Sequence, residues 1–155
     1  MQKILFICTG NICRSPTAEA IARHKAKSFG LESKFIFDSV GTSGYHVGQA
    51  SDLRAAELGE SRGINFKGMF SRKLEASDFE EFDLLMCMDR SHLSRVLELA
   101  PAEHQDKVKL FLQFCQADNV WDDEVIDPYY DGPQTFDKVF DVIDAALENF
   151  FNSVR

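Results

Sequence analysis

No stretch of the 155-residue sequence stays apolar for the ~20 residues that a bilayer-spanning helix needs. The N-terminal apolar run is too short for a signal-peptide core, and it contains a cysteine whose loss by cleavage would make no chemical sense. A cytoplasmic protein is expected. Cations are scarce as well. Seventeen Lys and Arg against 25 Asp and Glu leave a formal charge of −8, which argues against nucleic acid and anionic membrane surfaces as partners. Cysteine is sparse: Cys8, Cys13, Cys87 and Cys115 are the four in the chain. That density at this length does not suit a disulfide scaffold, and it fits a reducing compartment. Cys8 and Cys13 have no Cys or His pair of ligand spacing to complement them, so neither zinc nor another metal or cofactor is expected. Repeats, low-complexity tracts and linkers are missing, and residues 1–155 are read as a single domain.

What the chain does contain is material for a core: 45% of residues are hydrophobic and 14 are Phe. Short apolar runs rich in Ile, Leu, Val and Phe lie at about 3–8, 34–40, 83–88 and 107–112, the pattern of strands covered on both faces. Between them fall helical patterns at about 16–29, 51–62 and 90–100. The first opens at Pro16 and is stopped by Gly30. A last helix, about 134–153, carries Phe136, Phe140, Ile143, Leu147, Phe150 and Val154 as one apolar stripe. Alternating strands and helices predict an α/β fold, a parallel sheet with helices on both faces. Ligands on such sheets bind beyond the carboxyl ends of the strands. The segment 113–133 has no periodicity, and loops of that length are often functional.

The densest chemistry is Cys8-Thr9-Gly10-Asn11-Ile12-Cys13-Arg14-Ser15, between the first strand and the first helix. A strand, a tight loop and a helix start gather backbone N–H groups and the positive end of the helix dipole around one point, an anion site. A cysteine opening that loop has its thiolate favoured by the same field. Gly10 and Asn11 suit the unusual backbone angles such a loop needs. Arg14, at a helix start where a positive charge is disfavoured, makes sense as a fork that grips two phosphate oxygens. Ser15 before Pro16 has the place of an N-cap. Cys8 as nucleophile and Arg14 as clamp are the equipment for phosphoryl transfer to sulfur. A nucleotide-binding P-loop is excluded, since no Gly-Lys-Ser/Thr follows the loop.

The octet, followed by Pro16, resembles the active-site loop of low-molecular-weight protein tyrosine phosphatases. Asp127-Pro128-Tyr129-Tyr130 resembles that family's general-acid loop, so the likeness spans the chain. The resemblance implies a four-stranded parallel sheet of flavodoxin-like, phosphotyrosine phosphatase I type. It implies hydrolysis of phosphotyrosine on tyrosine-phosphorylated proteins by a monomer, with Asp127 as proton donor to the leaving phenolate. Thr9, Gly10, Asn11, Ile12 and Cys13 would then hold the phosphate, and Tyr129 and Tyr45 would wall a slot for the ring. Ser15 would donate its hydroxyl to the Cys8 sulfur, and Asn11 would hold the loop, with Ser39 as its partner. Asp89 and Tyr130 would support the site, and Cys13 would trap oxidised Cys8 as a disulfide, unless it is only a small buried filler. Asp122, Asp123, Glu124 and Asp131 crowd Asp127 in sequence, which would keep a general acid protonated; a solvated charge run is the plainer reading. His46 and His92 are expected at the surface or in support rather than as catalytic bases.

Three positions depart from the family pattern: Thr9 replaces a leucine, and Met69 and His92 stand where His and Asn are common. Two enzymes on the same fold compete with the main reading. A thiol-linked arsenate reductase needs a relay of further cysteines near the third strand, where Cys87 stands but Ser94 occupies the next suitable place. A protein arginine phosphatase shares Cys-Thr-Gly-Asn but carries Thr where this chain has Ile12. A phosphoryl-carrying transport subunit would keep its phosphocysteine, whereas Asp127 would serve to hydrolyse it.

Overall fold

Five consecutive buried residues, Ile4 to Cys8, form most of the first strand, β1 (Gln2–Cys8). The computed structural model describes residues 1–115, 123–129 and 132–155. After β1 come α1 (Arg14–Ser28), β2 (Phe35–Gly41), α2 (Leu53–Ser61), α3 (Asp78–Glu81), β3 (Leu84–Cys87) and α4 (Arg90–Leu99). A 3-10 turn (Ala102–Lys107), β4 (Val108–Leu110), α5 (Phe111–Cys115) and α6 (Pro133–Val154) complete the order. The strands form one parallel sheet in the order β2-β1-β3-β4. β1 is therefore central, and the chain crosses from one side of it to the other after β2.

Alternation along β1 divides the core. Ile4, Phe6 and Cys8 face a large cluster containing Ala18, Ile21 and Ala22 of α1 and Phe140, Ile143, Leu147 and Phe151 of α6. Leu5 and Ile7 face a smaller cluster with Phe79 of α3 and Val96 of α4. Both faces are covered, which is why the strand reads as an unbroken apolar run. The phenylalanines supply much of the larger cluster. Phe6 stacks on Phe37 at 6.1 Å between centroids and meets Phe111 edge-on at 5.8 Å, while Phe35 and Phe37 meet Phe151 edge-on.

Several boundaries differ from expectation for identifiable reasons. The fourth strand stops at Leu110, and Phe111 starts a short helix, because a short buried apolar run does not distinguish strand from helix. α1 starts at Arg14 rather than Pro16, with Cys13 as an N-cap that makes no side-chain cap bond. α2 starts at Leu53, because the Asp52 carboxylate caps it by accepting the Arg54 N–H. On α6, Phe151 joins the buried stripe, whereas Val154 is exposed in the last turn. Among the described residues no helix is long and apolar enough to cross a membrane.

Candidate active site

Cys8 ends β1 at the carboxyl edge of the sheet, beside the point where the strand order reverses, and residues 9–13 turn the chain into α1. Asn11 takes φ 56°, a left-handed conformation that asparagine tolerates better than most residues. That turn aims its N–H at Cys8 Sγ, 3.3 Å away. Ser15 Oγ lies 3.0 Å from the same sulfur. The Asn11 side-chain amide donates to Ser15 Oγ at 2.8 Å, so the Ser15 hydroxyl hydrogen is directed to the sulfur or to the Val40 carbonyl, 3.4 Å away. Ser15 thus lies in the first turn of α1 and faces Cys8 instead of capping the helix.

The loop is braced from behind. Asn11 Oδ1 accepts the Arg72 N–H at 3.1 Å, and Ser71 Oγ donates to the Gly10 carbonyl at 2.9 Å. Arg72 is itself fixed by Asp38 and Asp78. Ser39, expected as the partner of Asn11, instead donates to Glu19 Oε1 at 2.7 Å. Burial pushes the Glu19 carboxyl up, against the pull of Ser39 and Arg23. Gly41 lets β2 close on the loop: a Cβ there would lie 2.6 Å from the Thr9 carbonyl oxygen and 3.2 Å from the Asn11 nitrogen. Met69 packs against the larger core cluster.

Arg14 is buried, and its fork is held from two sides. Nη1 donates to Asp89 Oδ2 and to the Val125 carbonyl, each at 2.8 Å. Nη2 lies 3.6 Å from Asp127 Oδ2 and 3.5 Å from His92 Nε2. Burial disfavours a charged Asp89, but hydrogen bonds from Ser91 and Arg14 and the neighbouring His92 outweigh it, leaving that carboxyl at about 2. Asp89 is thus a permanent counter-charge under the clamp. His92, by contrast, is driven down to about 4 by burial and then by Arg14, so its ring is neutral at pH 7. Its Nδ1 accepts the Asp89 N–H at 3.3 Å, which places the ring proton on Nε2, 2.8 Å from Thr9 Oγ1. Two departures from the family pattern, Thr9 and His92, are therefore bonded to each other.

The neutral His92 has a consequence for stability. Unfolded histidine protonates near pH 6.5, and the folded ring resists until about 4, so the unfolded chain binds the extra proton throughout that window. Stability should fall as pH drops from 6.5 to 4, by roughly 3 kcal/mol from this group alone. Urea denaturation at pH 7 and pH 4 measures the effect. His92→Asn should lose less stability over that interval than the wild type, and equal losses in the two proteins would refute the assignment.

A cavity of about 620 Å³ opens over Cys8 and is walled by Gly10, Ile12, Ser43, Tyr45, His46, Asp127 and Tyr129. Tyr45 stands at its rim, 84% exposed. His46 belongs to the wall rather than to the outer surface. Its Cδ2 would sit 2.8 Å from a Cβ on Gly10, and its ring lies 4.9 Å from Tyr45 and 6.3 Å from Tyr129. Asp127 Oδ1 accepts the Tyr129 N–H at 3.0 Å, which turns Oδ2 toward Arg14. Two of the carboxylates expected to crowd Asp127 are engaged elsewhere, since Asp123 and Glu124 both bond Arg90. Asp122, Asp131 and Tyr130 lie outside the described residues.

The remaining cysteines are buried thiols. Burial first, then the charges of Asp52, Cys8 and Asp127, push Cys13 well above its ordinary range, and a neutral thiol is a poor attacking group. Cys87 is likewise pushed up to about 12 by burial and by Asp89. Sequence reasoning missed Asp52 and Arg54, which brace the far side of the cavity; an aspartate at the start of the helical pattern, where a cap belongs, was the available signal.

The family model for low molecular weight phosphotyrosine protein phosphatase matches residues 3–155. A low molecular weight phosphotyrosine protein phosphatase of Schizosaccharomyces pombe is 39% identical over 98% of this chain and 96% of its own. YfkJ of Bacillus subtilis, named a low molecular weight protein-tyrosine-phosphatase, is 35% identical over 100% of this chain and 97% of its own. A crystal structure of a protein tyrosine phosphatase from Entamoeba histolytica superposes with a TM-score of 0.93 at 38% identity, covering 99% of this chain and 97% of that one. With nearly the whole chain matched by family model, relatives and fold alike, the chain belongs to the low molecular weight phosphotyrosine protein phosphatase family.

Proposed function

We propose that this chain hydrolyses phosphotyrosine on proteins through a phosphocysteine, with Cys8 as nucleophile, Arg14 as phosphate clamp and Asp127 as general acid and base. The observation that carries the reading is the sulfur's setting. Cys8 Sγ receives the Asn11 N–H and faces the Ser15 hydroxyl at the floor of a cavity bordered by Arg14 and Asp127. Cys8 Sγ attacks phosphorus in line, so an S–P bond forms as the P–O(aryl) bond breaks, and Asp127 gives its proton to the departing oxygen. Arg14 and the loop N–H groups hold the equatorial oxygens. Cys8 acts as the thiolate and Asp127 in its protonated form, and the dianion takes Arg14 Nη2 while Asp127 Oδ2 carries its proton to the leaving oxygen. Asp127 then takes a proton from water, the water oxygen bonds phosphorus, and the S–P bond breaks as Ser15 donates to the returning thiolate. No step requires a metal, and EDTA should leave turnover unchanged. Assays of phosphotyrosine, phosphoserine and phosphoarginine peptides and of arsenate on the purified protein test the reading. Preferred turnover of any substrate but phosphotyrosine would overturn it.

The reductase alternative is weakened by Cys87, which is fully buried with a thiol pushed up to about 12. The arginine phosphatase alternative turns on Ile12, a cavity wall residue that is 8% exposed. An isoleucine there favours a flat ring over a guanidinium, which needs polar company. Ile12→Thr should shift the kcat/KM ratio toward phosphoarginine by about tenfold. A wild type that already prefers phosphoarginine would assign the selectivity to the Thr9–His92 pair instead.

A further inference from the structure

We propose that Arg54, locked by Asp52, is a positioning residue that sets the general acid against the phosphate loop. The inference rests on the function proposed above and names parts of the chain that carry out none of its chemistry.

The connections form a strut between two loops that are more than 100 residues apart in sequence. At one end, the Asp52 N–H donates to the Ile12 carbonyl at 2.7 Å, so α2 begins bonded to the phosphate loop. The Asp52 carboxylate then holds the Arg54 guanidinium by its edge, Nε to Oδ1 at 3.1 Å and Nη2 to Oδ2 at 2.9 Å. At the other end, Arg54 Nη2 donates to the Tyr129 carbonyl at 3.2 Å. The guanidinium also lies over the Phe136 ring at 4.4 Å and within 5.5 Å of the Tyr129 ring centroid. Tyr129 is the residue whose N–H fixes Asp127 Oδ1. The carbonyl and amide of one residue thus join Arg54 to the proton donor.

The other flank of the acid loop is tied independently. The Val125 carbonyl receives Arg14 Nη1, and the Val125 N–H donates to the Met88 carbonyl at 2.8 Å. Asp127 lies between these two anchors. Removing the downstream anchor leaves the clamp and nucleophile in place while loosening the group that must meet the leaving oxygen. The Arg54 side chain is 40% exposed, so its stacked and forked geometry serves alignment better than stability.

The experiment is kcat/KM for aryl phosphates whose leaving phenols range from acidic nitrophenols to tyrosine-like phenols, measured on wild type, Arg54→Met, Arg54→Lys, Asp127→Asn and the Arg54→Met/Asp127→Asn double variant. Arg54→Met should lose about tenfold on tyrosine-like phenols, which need the proton, and less than about twofold on nitrophenols. Arg54→Lys keeps a donor for the Tyr129 carbonyl and should recover part of that loss. Once Asp127 is Asn, adding Arg54→Met should cost less than about twofold on every ester, because the group being positioned is already gone. Equal losses across all phenols, or the same loss with and without Asp127, would overturn the role and leave Arg54 as packing. A wild type that hydrolyses none of the esters would overturn the proposed function, and this role with it.

Discussion

Cys8→Ser is expected to abolish hydrolysis of p-nitrophenyl phosphate, by on the order of 10⁵-fold or more, the scale on which removal of a nucleophile acts. The geometry explains why so small a change should be fatal. Sulfur is held by an N–H from Asn11 and a hydroxyl from Ser15, donors that favour a thiolate but cannot ionise a serine hydroxyl at neutral pH. The smaller oxygen also sits farther from a phosphorus held by Arg14 and the loop. Folding should survive, because Cys8 contributes one buried residue to a cluster dominated by Phe6, Phe37, Phe111 and Phe151. The variant should therefore still bind a phosphotyrosine peptide, and calorimetry on the inactive protein separates lost chemistry from lost structure. Near-normal turnover in Cys8→Ser would remove the covalent mechanism altogether.

Asp127→Asn should lower kcat/KM for phosphotyrosine peptides by roughly 10²–10⁴, the usual worth of a general acid, and by much less for nitrophenyl esters. Asparagine retains an oxygen for the Tyr129 N–H, so the loop keeps its shape and only the proton is missing. Measuring kcat/KM of both proteins as a profile from pH 5 to 8 checks this. The surrounding charges make that profile simple to interpret. With Asp89 at about 2 and His92 at about 4, neither changes its charge between pH 5 and 8, so the limbs report the reacting groups. A variant with unchanged kcat/KM on phosphotyrosine would assign the proton to another donor.

The parts legible in sequence were those written by local rules. β1 announced itself by an unbroken apolar run, and α6 by spacings of three and four ending near Val154. The cysteine loop was legible because a nucleophile, a clamp and a helix start fell within eight residues. What stayed hidden was decided by distant pairing. Nothing near Asn11 in sequence points to the Arg72 N–H as its partner, and nothing near Arg54 points to the Tyr129 carbonyl. The same holds for Thr9 and His92, two separate departures in sequence and one hydrogen bond in space. Crowding by sequence neighbours misled in the opposite direction: Asp123 and Glu124 stand close to Asp127 in the chain, yet both turn to Arg90.

The central place of β1 in the sheet has a consequence for how the chain acquires activity. The strand that carries Cys8 precedes both of its neighbours in the chain: β2 follows some thirty residues later and β3 some eighty residues later. Its helix α1 packs against α6, which begins more than a hundred residues after α1 ends. Such long-range closures are entropically costly and come late in folding. The acid arrives nearly as late, since Asp127 sits just before α6 and is bonded through Tyr129 to Arg54. A nascent or truncated chain therefore holds its reactive thiol long before it holds an aligned clamp and proton donor. Catalytic competence thus depends on contacts made by residues more than a hundred positions after Cys8.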